Sequence, residues 1–351
     1  METHLHHHHH HHHHSLLLVL GVFSQDTPSN ALLRQASRRT WMTSPNVDDE
    51  VVVRFAIRGG GGVSSPLVVE AEANNDVVLS KSNKTLPRAT GPINSLIDWF
   101  AYATTTYPDA AFVGKADDDA FVRLAPLRSH LSTVEALFPP RGSPVYFGRF
   151  EMFHWLRASE SPIGFSWFGG RMRPCKVTTA LTGPFPFAKG ALFAVSAPVA
   201  AGVAASPFAR ASLANITAHT GPRKNNPWED AWLGYVLAAT VPRLSLAHMP
   251  LSLLAEGWGN RSAVRDARDK IYWHGGGKSE KKYVETARWF DELNSDVPSA
   301  GSGGEDASTS HLRLSSCAPF QSCAASASLL EAVSWNACRL VTKKDGIGVS
   351  R

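Results

Sequence analysis

Ala111-Phe-Val-Gly-Lys115-Ala-Asp117-Asp118-Asp119-Ala-Phe121-Val122 is the stretch on which the reading of the fold turns. A short apolar run that ends abruptly in three carboxylates is the pattern of a buried strand delivering its last residues to the open end of a sheet. Alternation along the strand sends Asp117 and Asp119 to one side and Asp118 to the other. Two hard oxygen ligands then converge where a parallel sheet opens its binding crevice. Such a pair suits magnesium or manganese bound to a diphosphate, because these cations take only one or two protein carboxylates and fill their other places with phosphate oxygens. A solvated acidic turn capping the next helix uses the same residues, so the tripeptide alone weighs evenly between the two.

Working outward, apolar strand-like runs alternate with helical patterns, the signature of a sheet with crossover helices. On the N-terminal side, strands are expected at Leu16–Phe23, Val51–Ile57 and Val77–Leu79, and helices at Ala31–Trp41, near Val68–Ala73 and at Ile93–Thr105. Gly59–Gly62 reads as a loop. In the long helix Ile93, Leu96, Ile97, Phe100 and Ala101 fall at helical spacing. On the C-terminal side a helix at Leu124–Phe138 precedes strands at Val145–Gly148 and Ala191–Ser196 and a helix at Pro227–Ala239. Phe153–Lys189 reads as loop-rich, with Trp155, Phe165, Trp167 and Phe168 as aromatics for sugar stacking or, more often, core packing.

Composition narrows the class. Hydrophobic residues make up 43% and charged residues 19% of 351, which is the make-up of a folded chain. A net charge of +5 spread over this length lacks the clustered stripe that nucleic-acid binding needs. His4 and the run His6–His14 read as a tag or low-complexity segment, so residues 1–15 stand apart from the fold. Leu16–Phe23 is too short to span a bilayer, which takes roughly 20 residues. Residues 16–293 therefore form one α/β domain, 294–316 a Gly- and Ser-rich linker, and 317–351 a tail with one expected helix, Ala324–Leu340. Cys175, Cys317, Cys323 and Cys338 lack zinc-site spacing, leaving disulfides or buried thiols open. Sequons at Asn83, Asn215 and Asn260 fit a lumenal address.

Two more segments carry chemistry. In Trp228-Glu229-Asp230-Ala-Trp232-Leu-Gly234 the two acids open a helix, where its dipole stabilises them by roughly 0.3–1 kcal/mol, or where one serves as a general base. In Trp273-His274-Gly-Gly-Gly277-Lys278-Ser279 the phosphate-loop spacing fails because Tyr272 stands where glycine is required. Lys278 and its glycines can still face phosphate, and His274 can ligate a metal.

In order and spacing these pieces resemble the inverting β1,3-galactosyltransferase family, glycosyltransferase family 31, which also holds N-acetylglucosaminyltransferases and Fringe-like enzymes. The family's R-x-A-I-R-x-T-W is similar to Arg34-Gln-Ala36-Ser-Arg38-Arg-Thr40-Trp41, and its acidic element to Glu70 with Asp76-Val-Val-Leu79. K-x-D-D-D-x-F-V is matched by Lys115–Val122, E-D-V-x-x-G by Glu229–Gly234, and the late H-x-x-x-K by His274 and Lys278, followed by Trp289. Pro186–Ser196 weakly echoes a further aromatic and glycine element. The family's stretch after its first acidic element is replaced by Ser80–Ile93, and its K-W-Y segment is absent between Phe153 and Lys189.

The resemblance implies a GT-A type fold, a Rossmann-like mixed and mostly parallel sheet flanked by helices, over residues 16–293. It implies transfer of a sugar, galactose first and N-acetylglucosamine as the alternative, from a UDP-sugar to a glycan or glycoprotein hydroxyl in β1,3 linkage. A catalytically silent glycan-binding relative is the other alternative. It further implies Mn2+ or Mg2+ at Asp119, Asp117 and His274, Asp230 as base with Glu229 beside it, and donor contacts from Arg34, Arg38, Lys115, Asp117, Asp118 and Lys278. A Golgi lumen address behind an N-terminal anchor completes the expectation, the chain being read as a catalytic domain without that anchor.

Overall fold

A computed structural model describes residues 16–43, 50–87, 89–164, 181–219, 228–249, 254–256, 270–274, 280–295, 314–317 and 338–341. The chain runs β1 (Leu18–Ser24), α1 (Pro28–Arg39), β2 (Val51–Gly60), α2 (Ser65–Asn74), β3 (Val77–Asn83), α3 (Gly91–Thr106), β4 (Phe112–Asp117), β5 (Ala120–Val122) and α4 (Leu124–Leu137). It continues through β6 (Val145–Leu156), β7 (Ser161–Gly164), β8 (Leu181–Ser196), α5 (Ala197–Ala205), α6 (Pro207–His219) and α7 (Glu229–Thr240). After these come β9 (Ser245–His248), β10 (Leu254–Glu256), β11 (Tyr272–His274), α8 (Glu280–Ser295), β12 (Leu314–Cys317) and β13 (Cys338–Val341).

Ten strands form one mixed sheet in the order β13-β12-β9-β6-β8-β4-β1-β2-β3, with β7 added on β6. Its first half, β4-β1-β2-β3, is parallel, and β8 then runs antiparallel to both β4 and β6. The α/β alternation expected from the sequence is therefore present. Period-two burial in β1 shows how the sheet is filled from both sides. Leu18, Leu20 and Val22 pack with Leu33 of α1 and Leu127 and Leu131 of α4, whereas Val19 joins Trp99 of α3 and Trp232 and Val236 of α7 on the opposite face. The α3 indole lies so close over β1 that a Cβ on Gly21 would stand 2.4 Å from it. Local chemistry starts the helices: Thr27 caps α1 by accepting the Asn30 N–H at 3.2 Å, with Pro28 in the first turn.

The structure corrects several expectations among its described residues. Gly59 and Gly60 belong to β2, which pairs with β3, instead of forming a loop, and α8 runs to Ser295, past the expected start of the linker at 294. Phe153–Lys189 was read as loop-rich, yet β6 runs to Leu156, β7 occupies Ser161–Gly164 and β8 begins at Leu181. Gly183, Pro184, Pro186 and Gly190 break the alternation that marks a strand, and tertiary pairing with β6 overrides them. Trp155 is a core residue, its indole N–H donating to Glu160 at 2.9 Å. At the other end, Cys338–Val341 is a strand where a helix was expected to finish, and Leu314–Cys317 is a strand where the linker was expected to end. Phe165, Trp167, Phe168, Cys175, Asn260 and Lys278 lie outside the described residues.

Candidate active site

The parallel strands deliver their C-terminal ends to one cleft of about 260 Å³. Register makes its floor: Phe23 of β1 lies opposite both Ala56 of β2 and Asp117 of β4, and all three line the cleft. Beyond Asp117 the chain turns into β5, which pairs with β11 so that Ala120 faces His274. That pairing carries the imidazole to Asp119, with Nε2 3.4 Å from Oδ1. Asp117, Asp119 and His274 each offer one ligand atom within 4.8 Å of the others. Two carboxylate oxygens and an imidazole nitrogen, all partly exposed, form a donor set that fits manganese or magnesium with room for phosphate oxygens.

Asp118 turns the other way, as alternation requires. It is 5% exposed and accepts from Ser24 Oγ at 2.8 Å and from Asn30 Nδ2. The Tyr283 hydroxyl of α8 reaches the carbonyl oxygens of Asp118 and Ala120 at 2.5 and 3.2 Å, clamping the turn that presents Asp119. Asp118 thus supports the acidic turn from beneath.

The second acidic group opens α7. Asp230 Oδ2 accepts the Gly190 N–H at 2.9 Å, and Oδ1 accepts its neighbour Ala231 N–H at 2.7 Å. Burial, followed by the Glu229 charge, raises the Asp230 pKa to about 7, against the lowering pull of Lys115. Glu229 Oε1 accepts from Lys115 Nζ at 2.9 Å, and the same ammonium donates to Asp117 Oδ1 at 2.5 Å and to the Gly190 carbonyl at 2.6 Å. Lys115 is fully buried; burial opposes its charge, yet Asp117 and Glu229 hold its pKa above the ordinary value. A Cβ on Gly190 would stand 3.3 Å from both Asp230 Oδ2 and Lys115 Nζ, so a bare backbone lets the three groups close in. The Gly234 of the same motif admits β8 against α7, since its Cβ would meet Phe187 Cβ at 2.5 Å.

Three of the sequence's donor-side cations are employed otherwise. Lys115 has no exposed surface to offer a donor and instead joins the two acidic groups. Arg34, 1% exposed, forks onto Glu70 at 2.6 and 2.7 Å and donates to Ser24 Oγ and the Gln25 carbonyl. Arg38 forks onto Asp76 at 2.7 and 2.8 Å and also meets Glu70 at 2.8 Å. Their donors are committed to the two acids of the Glu70–Asp76 element, pinning α1 to α2 and β3 and propping Ser24 beneath Asp118. Sequence reading missed Arg58, a half-buried cation on β2 that lines the cleft and whose pKa burial lowers. Gly91 at the start of α3 makes room for its guanidinium, since a Cβ there would fall 1.9 Å from Nη1. A basic residue two positions beyond Ala56, at a strand's C-terminal end, was the available signal.

With this geometry in place, the sequence profile of the galactosyltransferase family matches residues 33–216, just over half of the chain. The chain belongs to the galactosyltransferase family. Its mixed α/β sheet is of the GT-A type. The chain is 37% identical over 111 residues to β-1,3-galactosyltransferase GALT1 of Arabidopsis thaliana, a match covering 30% of this chain and 16% of that one. Solved structures similar to it include galactosyltransferase LgtC in complex with donor and acceptor sugar analogues, at 10% identity and TM-score 0.41 over 82% of this chain and 98% of that one. Another is a glycosyltransferase involved in glycosylation of the major capsid of PBCV-1, at 12% identity and TM-score 0.38, covering 78% and 99% of the two chains.

Proposed function

We propose that this chain is an inverting hexosyltransferase that moves a sugar, galactose in the first instance, from a UDP-sugar to a hydroxyl of a glycan or glycoprotein in β1,3 linkage. The observation that carries the reading is that buried Lys115 ties two acidic groups together. One is the partly exposed Asp117, Asp119 and His274 group suited to a cation, and the other is Glu229 with its neighbour Asp230, whose pKa is raised to about 7.

The residues divide the work. A divalent cation held by Asp117, Asp119 and His274 would neutralise the charge that grows on the departing diphosphate. Asp230, ionised above about pH 7, takes the proton of the acceptor hydroxyl as its oxygen bonds to the anomeric carbon and the sugar–diphosphate bond breaks on the opposite side. The Gly190 N–H fixes the Oδ2 orientation, and Glu229 keeps the Asp230 affinity for a proton high enough to act as base near neutral pH. Lys115 holds Glu229 and Asp117 in one frame, so the base and the cation group keep a set separation. Asp118, Arg34 and Arg38 support that frame from below, and Arg58 is the cation available to the donor.

Residues 16–293 are the unit that carries this activity, and a Golgi lumen address suits it. Family membership and two sequon asparagines, Asn83 and Asn215, exposed on the surface support that address. No helix among the described residues is long and apolar enough to cross a membrane. The test is a panel of UDP-sugars assayed for hydrolysis and transfer with manganese or with excess chelator, alongside calorimetric titration of UDP under both conditions. Turnover of UDP-galactose only with the cation is expected. Equal UDP affinity in manganese and in chelator would overturn the metal assignment, and preference for another sugar would reassign the donor.

A further inference from the structure

Of the aromatics the sequence offers for sugar stacking, Trp155 is buried, and Phe165, Trp167 and Phe168 lie outside the described residues. One large aromatic lining the cleft behaves differently. Trp228 is 40% exposed and immediately precedes Glu229 and Asp230 at the start of α7. Its ring lies 6.1 Å from that of Phe153, which in turn stacks on Phe187 at 4.4 Å with an interplanar angle of 27°. A core ring that is itself stacked therefore sits beside an indole that is 40% exposed and lines the cleft, an arrangement that limits the entropy lost when a ligand settles on it.

Sheet order says which ligand this is. From Asp117 on β4 the sheet continues one way through β1 to β2, where Ala56 and Arg58 line the cleft, and the other way through β8 to β6, whose Phe153 lies beside the cleft-lining Trp228. Arg58 lines the cleft on the β2 side of the acidic group, and Trp228 lines it next to Glu229 and Asp230, its neighbours in sequence. A pyranose offers an apolar face of C–H bonds and a rim of hydroxyls, so one ring face can lie on the indole while a hydroxyl turns toward the adjacent acids.

We propose that Trp228 is the stacking platform for the acceptor's pyranose ring, holding it so that one hydroxyl faces Asp230. The assignment of that ring as acceptor rests on the transferase reading above. The probes are methyl β-galactoside, methyl N-acetyl-β-glucosaminide and methyl α-mannoside, measured by saturation-transfer NMR and calorimetry with UDP and manganese present. At least one glycoside binds the parent protein. Trp228→Leu, which keeps an apolar contact to Phe153 but lacks the π face, weakens that binding on the order of tenfold. Trp228→Phe retains most of it, and UDP affinity is unchanged in both variants. A parent that binds none of the three glycosides, a Trp228→Leu protein that binds as the parent does, or a parallel fall in UDP affinity overturns the platform. A parent that binds glycoside through Trp228 but no UDP with manganese overturns the transferase reading and leaves the sugar platform standing.

Discussion

Two acidic groups, one at the end of β4 and one at the start of α7, are built from the same side-chain chemistry with different neighbours: burial raises the pKa of Asp117 against the pull of Lys115, and burial with the Glu229 charge raises that of Asp230. Asp117 and Asp119 sit partly exposed at a strand end, beside the His274 imidazole, each of the three offering a ligand atom within 4.8 Å of the others. Asp230 sits against backbone N–H groups in surroundings that push its pKa up to about 7. A carboxylate bound for a cation must stay ionised, and a general base must let its proton come and go near neutral pH. The imidazole beside Asp119 and the backbone N–H groups on Asp230 set these roles apart, and Lys115 touches both groups.

The strongest way to break the comparison is to remove that shared lysine. Lys115→Met leaves Asp117 and Glu229 facing each other without the buried ammonium, and loss of one partner from a buried ion pair costs about 3–5 kcal/mol. Urea unfolding at pH 7.5 should therefore show a stability loss of about that size. Since the uncompensated charges are carboxylates, part of the loss returns as pH falls and they take up protons. A variant as stable as the parent would mean that the two groups are independent and that the lysine is incidental.

The second test separates the groups. Asp230→Asn should lower transfer by a factor of roughly 10² or more while leaving UDP affinity with manganese nearly unchanged. In the parent, the raised pKa predicts that kcat/KM climbs with pH through about 7 and levels off above it, because only the ionised carboxyl accepts a proton. Stability runs the opposite way: a folded pKa above the unfolded value of 3.8 makes this group's contribution greatest in acid and progressively lost as pH rises toward 7. Opposed pH trends in activity and melting temperature, both abolished by Asp230→Asn, would sharpen the assignment. A variant that melts differently but transfers sugar at the parental rate would reduce Asp230 to a residue of the helix start.

How much of this was legible depends on range. The strand ending in Asp117–Asp119, with its alternation, is a local pattern, and so is the pair of acids opening α7; both were readable from residues within one element. Asp117 is two residues from Lys115, but its other partners lie 75 and 114 residues away, and Glu70 lies 36 residues from Arg34, so local sequence does not reveal how fully these cations are paired. Arg34 and Arg38 were given to the donor for that reason. The length of β6 and β8 was hidden for another, since their glycines and prolines erase the period of two and only pairing across the sheet restores it. Local pattern announces which residue types meet a ligand, and long-range pairing decides which charges are left over to do so.

His274 gives the finest test, because it distinguishes a cation group from an acidic turn that happens to have a histidine nearby. The antiparallel pairing of β5 with β11 places it opposite Ala120, and its Nε2 stands 3.4 Å from Asp119 Oδ1. At 36% exposure it has no packing role comparable to that of its neighbours Tyr272 and Trp273, which are both buried. His274→Ala should therefore leave the melting temperature close to the parental value. Loss of a partner that only orients a ligand typically weakens a metal site by roughly 10–100-fold, so loss of a direct ligand should weaken manganese affinity at least tenfold. UDP affinity measured with subsaturating manganese should fall in step and recover when manganese is raised, because a lost ligand lowers occupancy without destroying the nucleotide's own contacts. His274→Gln, which offers an amide oxygen, should lie between the two. If the alanine variant binds manganese as the parent does, the cation is held by the carboxylates alone, and the contrast between the acids of β4 and α7 no longer needs the imidazole.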